Sequence, residues 1–69
     1  MYAVKSVNLL NQNVEHYTPC PYGHTQACDT MRREIEEMDA VNWELDKDYT
    51  IEVVEVDDDF DFENQPDWN

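Results

Sequence analysis

From Glu44 to Asn69 the chain carries eleven acidic side chains against a single basic one, Lys47, so this stretch holds ten of the thirteen net negative charges. Like charges at that density repel one another in a compact state. Any fold the chain adopts must therefore hold these carboxylates at the surface and draw its cohesion from elsewhere. A short chain has few uses for such a cost: binding cations, solubilising a tail, or presenting an anionic surface to a basic protein. A net charge of −13 argues against DNA, RNA or an anionic membrane as direct ligands and points to basic partners.

The remaining composition bounds the architecture. At 69 residues the chain is one domain at most, and a domain of this size buries only roughly 60% of its unfolded surface, so a second copy would be a natural supplement to its core. Hydrophobic content of 41% with eight aromatic residues separates it from a plain disordered acidic tail. Gly23 is the only glycine, which leaves no Gly-rich phosphate cradle and no nucleotide cofactor to expect. No apolar run reaches membrane-spanning length. Met1 to Ser6 lacks the charged and apolar halves of a leader. The expected setting is cytosolic, with Cys20 and Cys28 as free thiols.

Alternation from Met1 to Leu10 predicts a strand, Asn11-Gln12-Asn13 a turn, and Val14 to Thr18 a returning strand. Pro19 to Gly23, with two prolines and a glycine, reads as a loop. A helix then follows with Thr25 as N-cap. Its apolar stripe is Cys28, Met31, Ile35 and Met38, and its wet face is Arg32, Arg33, Glu34, Glu36 and Glu37, with Arg32 paired to Glu36. It fades between Asp39 and Asn42. Tyr49 to Val56 alternates most cleanly, with Tyr49, Ile51 and Val53 on one face and Thr50, Glu52, Val54 and Val56 on the other. The order β-β-α-β predicts an α+β fold: an antiparallel sheet of three or more strands packed on one helix. Residues 1–56 form the compact domain, and 57–69 an acidic extension partly ordered as a continuation of the last strand.

Glu55, Asp57, Asp59, Asp61 and Glu63 are spaced by two. On a continued strand their side chains would stand about 6.8 Å apart along one edge, of the order of the separation of neighbouring phosphates on one nucleic-acid strand. Phe60 and Phe62 would anchor that run, which a merely solvating tail does not need. The expected partner-binding surface comprises Glu44, Asp46, Asp48, Glu52, Glu55, Asp57, Asp58, Asp59, Asp61 and Glu63, with Phe60 and Phe62 supplying apolar contact and the helix acids extending it. Asp57-x-Asp59-x-Asp61 opens like a calcium loop, but Phe62 and Trp68 stand where that loop needs Gly and Glu.

His16, Cys20, His24 and Cys28 fall at intervals of four and are all zinc-ligand types, although interleaved rather than paired as structural sites are. Their plainer role is packing and surface. An enzyme is not expected. So small a domain has little room for a desolvated pocket, and a negative field raises a thiol's pKa, the wrong direction for a nucleophile. Trp43 is expected in the core; Trp68 is either frayed or docked.

In length, in net charge and in the run Glu55-Val56-Asp57-Asp58-Asp59-Phe60-Asp61-Phe62-Glu63, the chain resembles the small acidic proteins that bacteriophages make to disable host factors. Several of these are DNA mimics. The resemblance implies an inhibitor, with a homodimer as one expected form, acting in the host cytoplasm on a basic DNA-binding protein, with the nucleoid protein HU as the first candidate. It leaves open a polymerase, nuclease, CRISPR effector or DNA glycosylase as the target.

Overall fold

Four elements carry the chain in the computed structural model, which describes all 69 residues: strands β1 (Tyr2–Asn8) and β2 (Val14–Cys20), helix α1 (His24–Ala40) and strand β3 (Tyr49–Glu55). The sheet order is β2-β1-β3, with β1 central and antiparallel to both neighbours. The expected α+β architecture is therefore the observed one: three antiparallel strands and one helix.

Register divides the sheet into two faces. Val4 lies opposite Thr18 and Val53, and Tyr2 opposite Cys20 and Glu55. This face meets the helix, where Val4, Cys20 and Ala27 form the buried core with Tyr2, Met31, Ile51 and Val53 packed against it. The other face carries Ala3 between Pro19 and Val54, and Lys5 between Tyr17 and Glu52. The alternation expected for Tyr49 to Val56 is the one found as far as Glu55, where the strand ends.

The β1–β2 turn spans residues 9–13. Gln12 and Asn13 adopt φ of 54° and 57°, a left-handed pair that suits asparagine. Strand β2 runs two residues beyond the expected Thr18, through Pro19 to Cys20. Tyr17, two residues earlier and in the same phase, turns its N–H away from β1, where it meets Gln65. Pro19 thus lacks an N–H only where the ladder would not have used one, the position an edge strand tolerates.

The helix begins at His24 on Gly23, whose φ of 112° favours glycine, and no side chain caps it. Thr25 lies inside the helix and is not the N-cap. The covered face is wider than the expected stripe: Ala27 and Thr30 are the buried positions, and Met31, Ile35 and Met38 of that stripe are half-buried together with Glu34. Glu34 therefore leaves the wet face assigned to it, and Cys28 is only partly covered. Arg32 pairs with Asp29 at 3.5 Å rather than with Glu36. Asn42 at φ 65° ends the helix, with Trp43 N–H donating to Met38 C=O (3.0 Å) and Asn42 N–H to Asp39 C=O (3.0 Å). This 6→1 and 5→2 pairing is a Schellman stop.

Strand β3 ends at Glu55. The acidic run does not continue it, so the regular row of carboxylates expected from Glu55 to Glu63 is not formed. Val56 N–H still bonds Met1 C=O (2.8 Å), and Phe60 N–H then closes a turn onto Asp57 C=O (3.0 Å). A run of consecutive aspartates favours such local turns over an extended ladder.

Candidate functional site: an acidic rim and the strap that shapes it

Residues 57–69 form a strap around the sheet's β2 edge. Phe60 packs on Tyr17 with ring centroids 4.7 Å apart and on Phe62 at 4.8 Å, which places the first part of the strap over the face opposite the helix. Ala3 on that face is fully buried. Gln65 then docks on the free edge of β2. Its Oε1 accepts from Tyr17 N–H and its Nε2 donates to Tyr17 C=O (2.8 Å), so one side-chain amide substitutes for a rung of a neighbouring strand. Such coverage blunts an edge that would otherwise pair with other chains.

The strap ends on the helix side. Trp68 stacks on Trp43 with ring centroids 5.3 Å apart, and its carbonyl accepts from Asn8 Nδ2 (2.7 Å) and Asn11 Nδ2 (3.4 Å). Trp68 is thus docked on its own chain. Trp43 is half-buried under it rather than inside the core. The apolar anchors expected for a partner, Phe60 and Phe62, are likewise half-buried against the domain. Their first task is to hold the acidic run in place.

All ten carboxylates assigned to the binding surface reach solvent, Asp48 the least. They follow β3 and its two flanks: Glu44, Asp46 and Asp48 before the strand, Glu52 and Glu55 on it, and Asp57 to Glu63 after it. Four are engaged within the chain. Glu44 pairs with Lys47 (3.5 Å), and Asp58 with the N-terminal ammonium (3.6 Å). Asp48 Oδ2 accepts from Glu44 N–H (2.8 Å). Asp61 accepts at both oxygens, from the N–H groups of Glu63 and Asn64 and from the Asn64 amide at 2.8 Å. The Asn64 side chain foremost, then those two N–H groups, hold Asp61 below its ordinary carboxylate pKa. Asp61 therefore organises the strap's turn. Asp46, Glu52, Glu55, Asp57, Asp59 and Glu63 have no side-chain partner, and these six make the free anionic rim.

Lys5 is the basic side chain set among the strands. It bonds Glu15 at 3.0 Å, and that bond, with charge from Tyr17, Glu15 and Glu52, raises the Lys5 pKa. The same bond lowers Glu15.

The four zinc-type residues do not converge. Cys20 is buried in the core at the end of β2, His16 lies four residues away along the same face of that strand, and His24 and Cys28 meet each other at the helix start (3.6 Å). No three His, Cys, Asp or Glu side chains assemble as a metal-holding group, and both thiols are free.

Beneath Trp68 lies a cavity of about 220 Å³ lined by His16, Glu34, Met38, Tyr49 and Ile51 among others. Glu34 Oε1 accepts from Thr18 Oγ1 (3.0 Å), whereas its Oε2 is buried without a partner, as is Trp68 Nε1. Burial is the main cause that raises the Glu34 pKa. An acid raised in the folded state holds its proton there while the unfolded chain has released it. Its contribution to stability therefore falls as pH rises from the unfolded pKa through the folded one. Glu34→Gln should raise the melting temperature at pH 7 by a few degrees, and the gain should vanish at pH 3–4. Thermal scans of both forms across that range check it, and an equal gain at both ends would refute the burial cause.

Sequence patterns missed Glu34, Tyr17 and Gln65. The spacing Ala27, Met31, Glu34, Met38 is itself helical and carried the signal, but a glutamate is not read as core-facing. Gln65 left no signal, because its role depends on an edge only the folded sheet possesses. Comparison with protein-family models, with characterised proteins and with solved structures gives no match, and no helix of the structure is long and apolar enough to cross a membrane.

Proposed function

We propose that this protein is an anionic decoy that occupies the DNA-binding face of a basic protein, in the manner of the phage DNA mimics it resembles, with a nucleoid protein of the HU type as the first target to test. The observation that carries the reading is the rim: six carboxylates without hydrogen-bonded or ion-paired side-chain partners, Asp46, Glu52 and Glu55 before and on β3, and Asp57, Asp59 and Glu63 on a strap whose aromatic residues hold the acidic run against the domain. A solvating tail needs charge but no such anchoring. The partner's lysines and arginines would meet carboxylates in place of phosphates, and the encounter would be steered by charge and weakened by salt.

Ion pairs at an exposed rim contribute little each, so affinity on this reading comes from many of them together with contact to backbone and to the partly exposed aromatic residues. The experiment is displacement: titrating the protein into a complex of duplex DNA with HU and following release of labelled DNA. The expected result is release at low salt that weakens steeply towards 0.5 M. Absence of release at any ratio in low salt removes HU as the target. Absence of binding to any DNA-binding protein of high positive charge removes the decoy reading.

A further inference from the structure

The two edges of the sheet are unlike. On β2, Tyr17 is capped by Gln65 and Pro19 has no N–H to offer. On β3 the edge is open. The bonds Val56 N–H to Met1 C=O and Leu9 N–H to Asp48 C=O share the register phase of the pairs Ala3–Val54 and Lys5–Glu52. Residues in that phase turn their amide groups towards β1, so those of Ile51, Val53 and Glu55 turn outward. Asp46 N–H takes the outward carbonyl of Tyr49 (2.7 Å), and no bond outside the ladder reaches Ile51, Val53 or Glu55.

We propose that this open edge is a second recognition element of the same surface: it receives an extended, lysine- or arginine-bearing segment of the basic partner as a fourth strand. The proposal rests on the decoy reading above and adds how the partner's backbone is held. Added strands gain affinity from main-chain hydrogen bonds and selectivity from alternate side chains. Here the side chains beside the open amides are Glu52 and Glu55, both exposed, with Asp46 at one end of the edge and Asp57 at the other.

Charge chooses the occupant. An antiparallel second copy centred on Glu52 or on Glu55 would set that carboxylate opposite its own equivalent, and each copy carries a net charge of −13. Like charges opposed across a strand pair are destabilising, and charged residues on an edge are a common guard against self-pairing. A basic strand reverses the sign of every one of those contacts. Hydrogen bonds made at the edge would also fix the register of the carboxylates against the partner's cations, which charge alone does not do.

The test uses the full chain and a defined probe, the peptide Lys-Val-Lys-Val-Lys-Val-Lys, with a second form methylated at every backbone nitrogen so that it keeps its charge but has no edge left to donate to a ladder. The expected result at low salt is at least tenfold slower hydrogen exchange at the amides of Ile51, Val53 and Glu55 with the first peptide. The methylated form should bind at least tenfold more weakly. Equal binding of both forms, with exchange at those amides unchanged, overturns the edge proposal and leaves the decoy reading standing. Failure of both forms to bind counts against the decoy reading and the edge proposal together. Slow exchange at these amides in the free protein that grows with its concentration would assign the edge to a second copy and overturn the proposal.

Discussion

Trp68→Ala should lower the melting temperature by roughly 10 °C, a large effect for the penultimate residue of a chain. Three contacts motivate the size. The indole stacks on Trp43, its ring roofs the cavity against Ile51 and Met38, and the backbone carbonyl beside it receives the Asn8 amide, itself buried. Removing a large aromatic from a well-packed site costs about 3–5 kcal/mol, and a half-buried one correspondingly less, about 2 kcal/mol. The loss should spread along the strap, because Gln65 and Phe60 are held to β2 by the same segment. Trp43 fluorescence should shift to the red, as expected of an indole newly facing water, and limited proteolysis should begin to cut between residues 57 and 69. A change in melting temperature under about 2 °C, with no new cleavage, would mean that the strap is held without its terminal anchor. Trp68→Phe, which keeps a ring in place and removes the unpaired indole N–H, should recover most of the loss.

The strap also marks where sequence reading reaches its limit. Strand phases were legible because alternation is a local property: Tyr49, Ile51 and Val53 face the helix as their spacing required. The helix span was legible for the same reason, but its rotation was not. Met31, Ile35 and Met38 are half-buried as their spacing required, but the fully buried pair, Ala27 and Thr30, is small and weakly apolar and falls outside that stripe; Glu34 is covered too, and its partner, the Thr18 hydroxyl, lies sixteen residues away. The acidic run was read as strand because its carboxylates alternate. A period of two, however, does not by itself supply a neighbour to pair with. Beyond Glu55 the central strand β1 has run out at Met1, and Asp61 finds closer partners in Glu63 and Asn64. The aromatic residues of the run do turn onto the domain, Phe60 packing on Tyr17 and Phe62. Where they dock depended on Tyr17 facing away from the helix, which required the hairpin register first.

Replacing Glu52, Glu55, Asp57 and Asp59 together by their amides should move stability and binding in opposite directions. All four are exposed and none is held in a side-chain hydrogen bond or close ion pair, so neutralising them relieves mainly repulsion, offset in part by the lost attraction of Glu52 for Lys5 across the strand pair. The melting temperature should rise, most of all at low ionic strength, where repulsion between exposed charges is least screened. Affinity for a basic partner should fall. If each carboxylate contributes about 0.5–1 kcal/mol to an exposed ion pair, four together account for roughly 30- to 1000-fold in the concentration needed to release DNA from HU, and the dependence on salt should become shallower. Asp61→Asn separates the two roles. That residue organises the strap's turn with both oxygens occupied, so its amide should cost stability and leave the salt dependence of release nearly unchanged. A quadruple variant that gains stability and still releases DNA at the wild-type concentration would show that these four carboxylates do not carry the binding, and the decoy reading would fall with them.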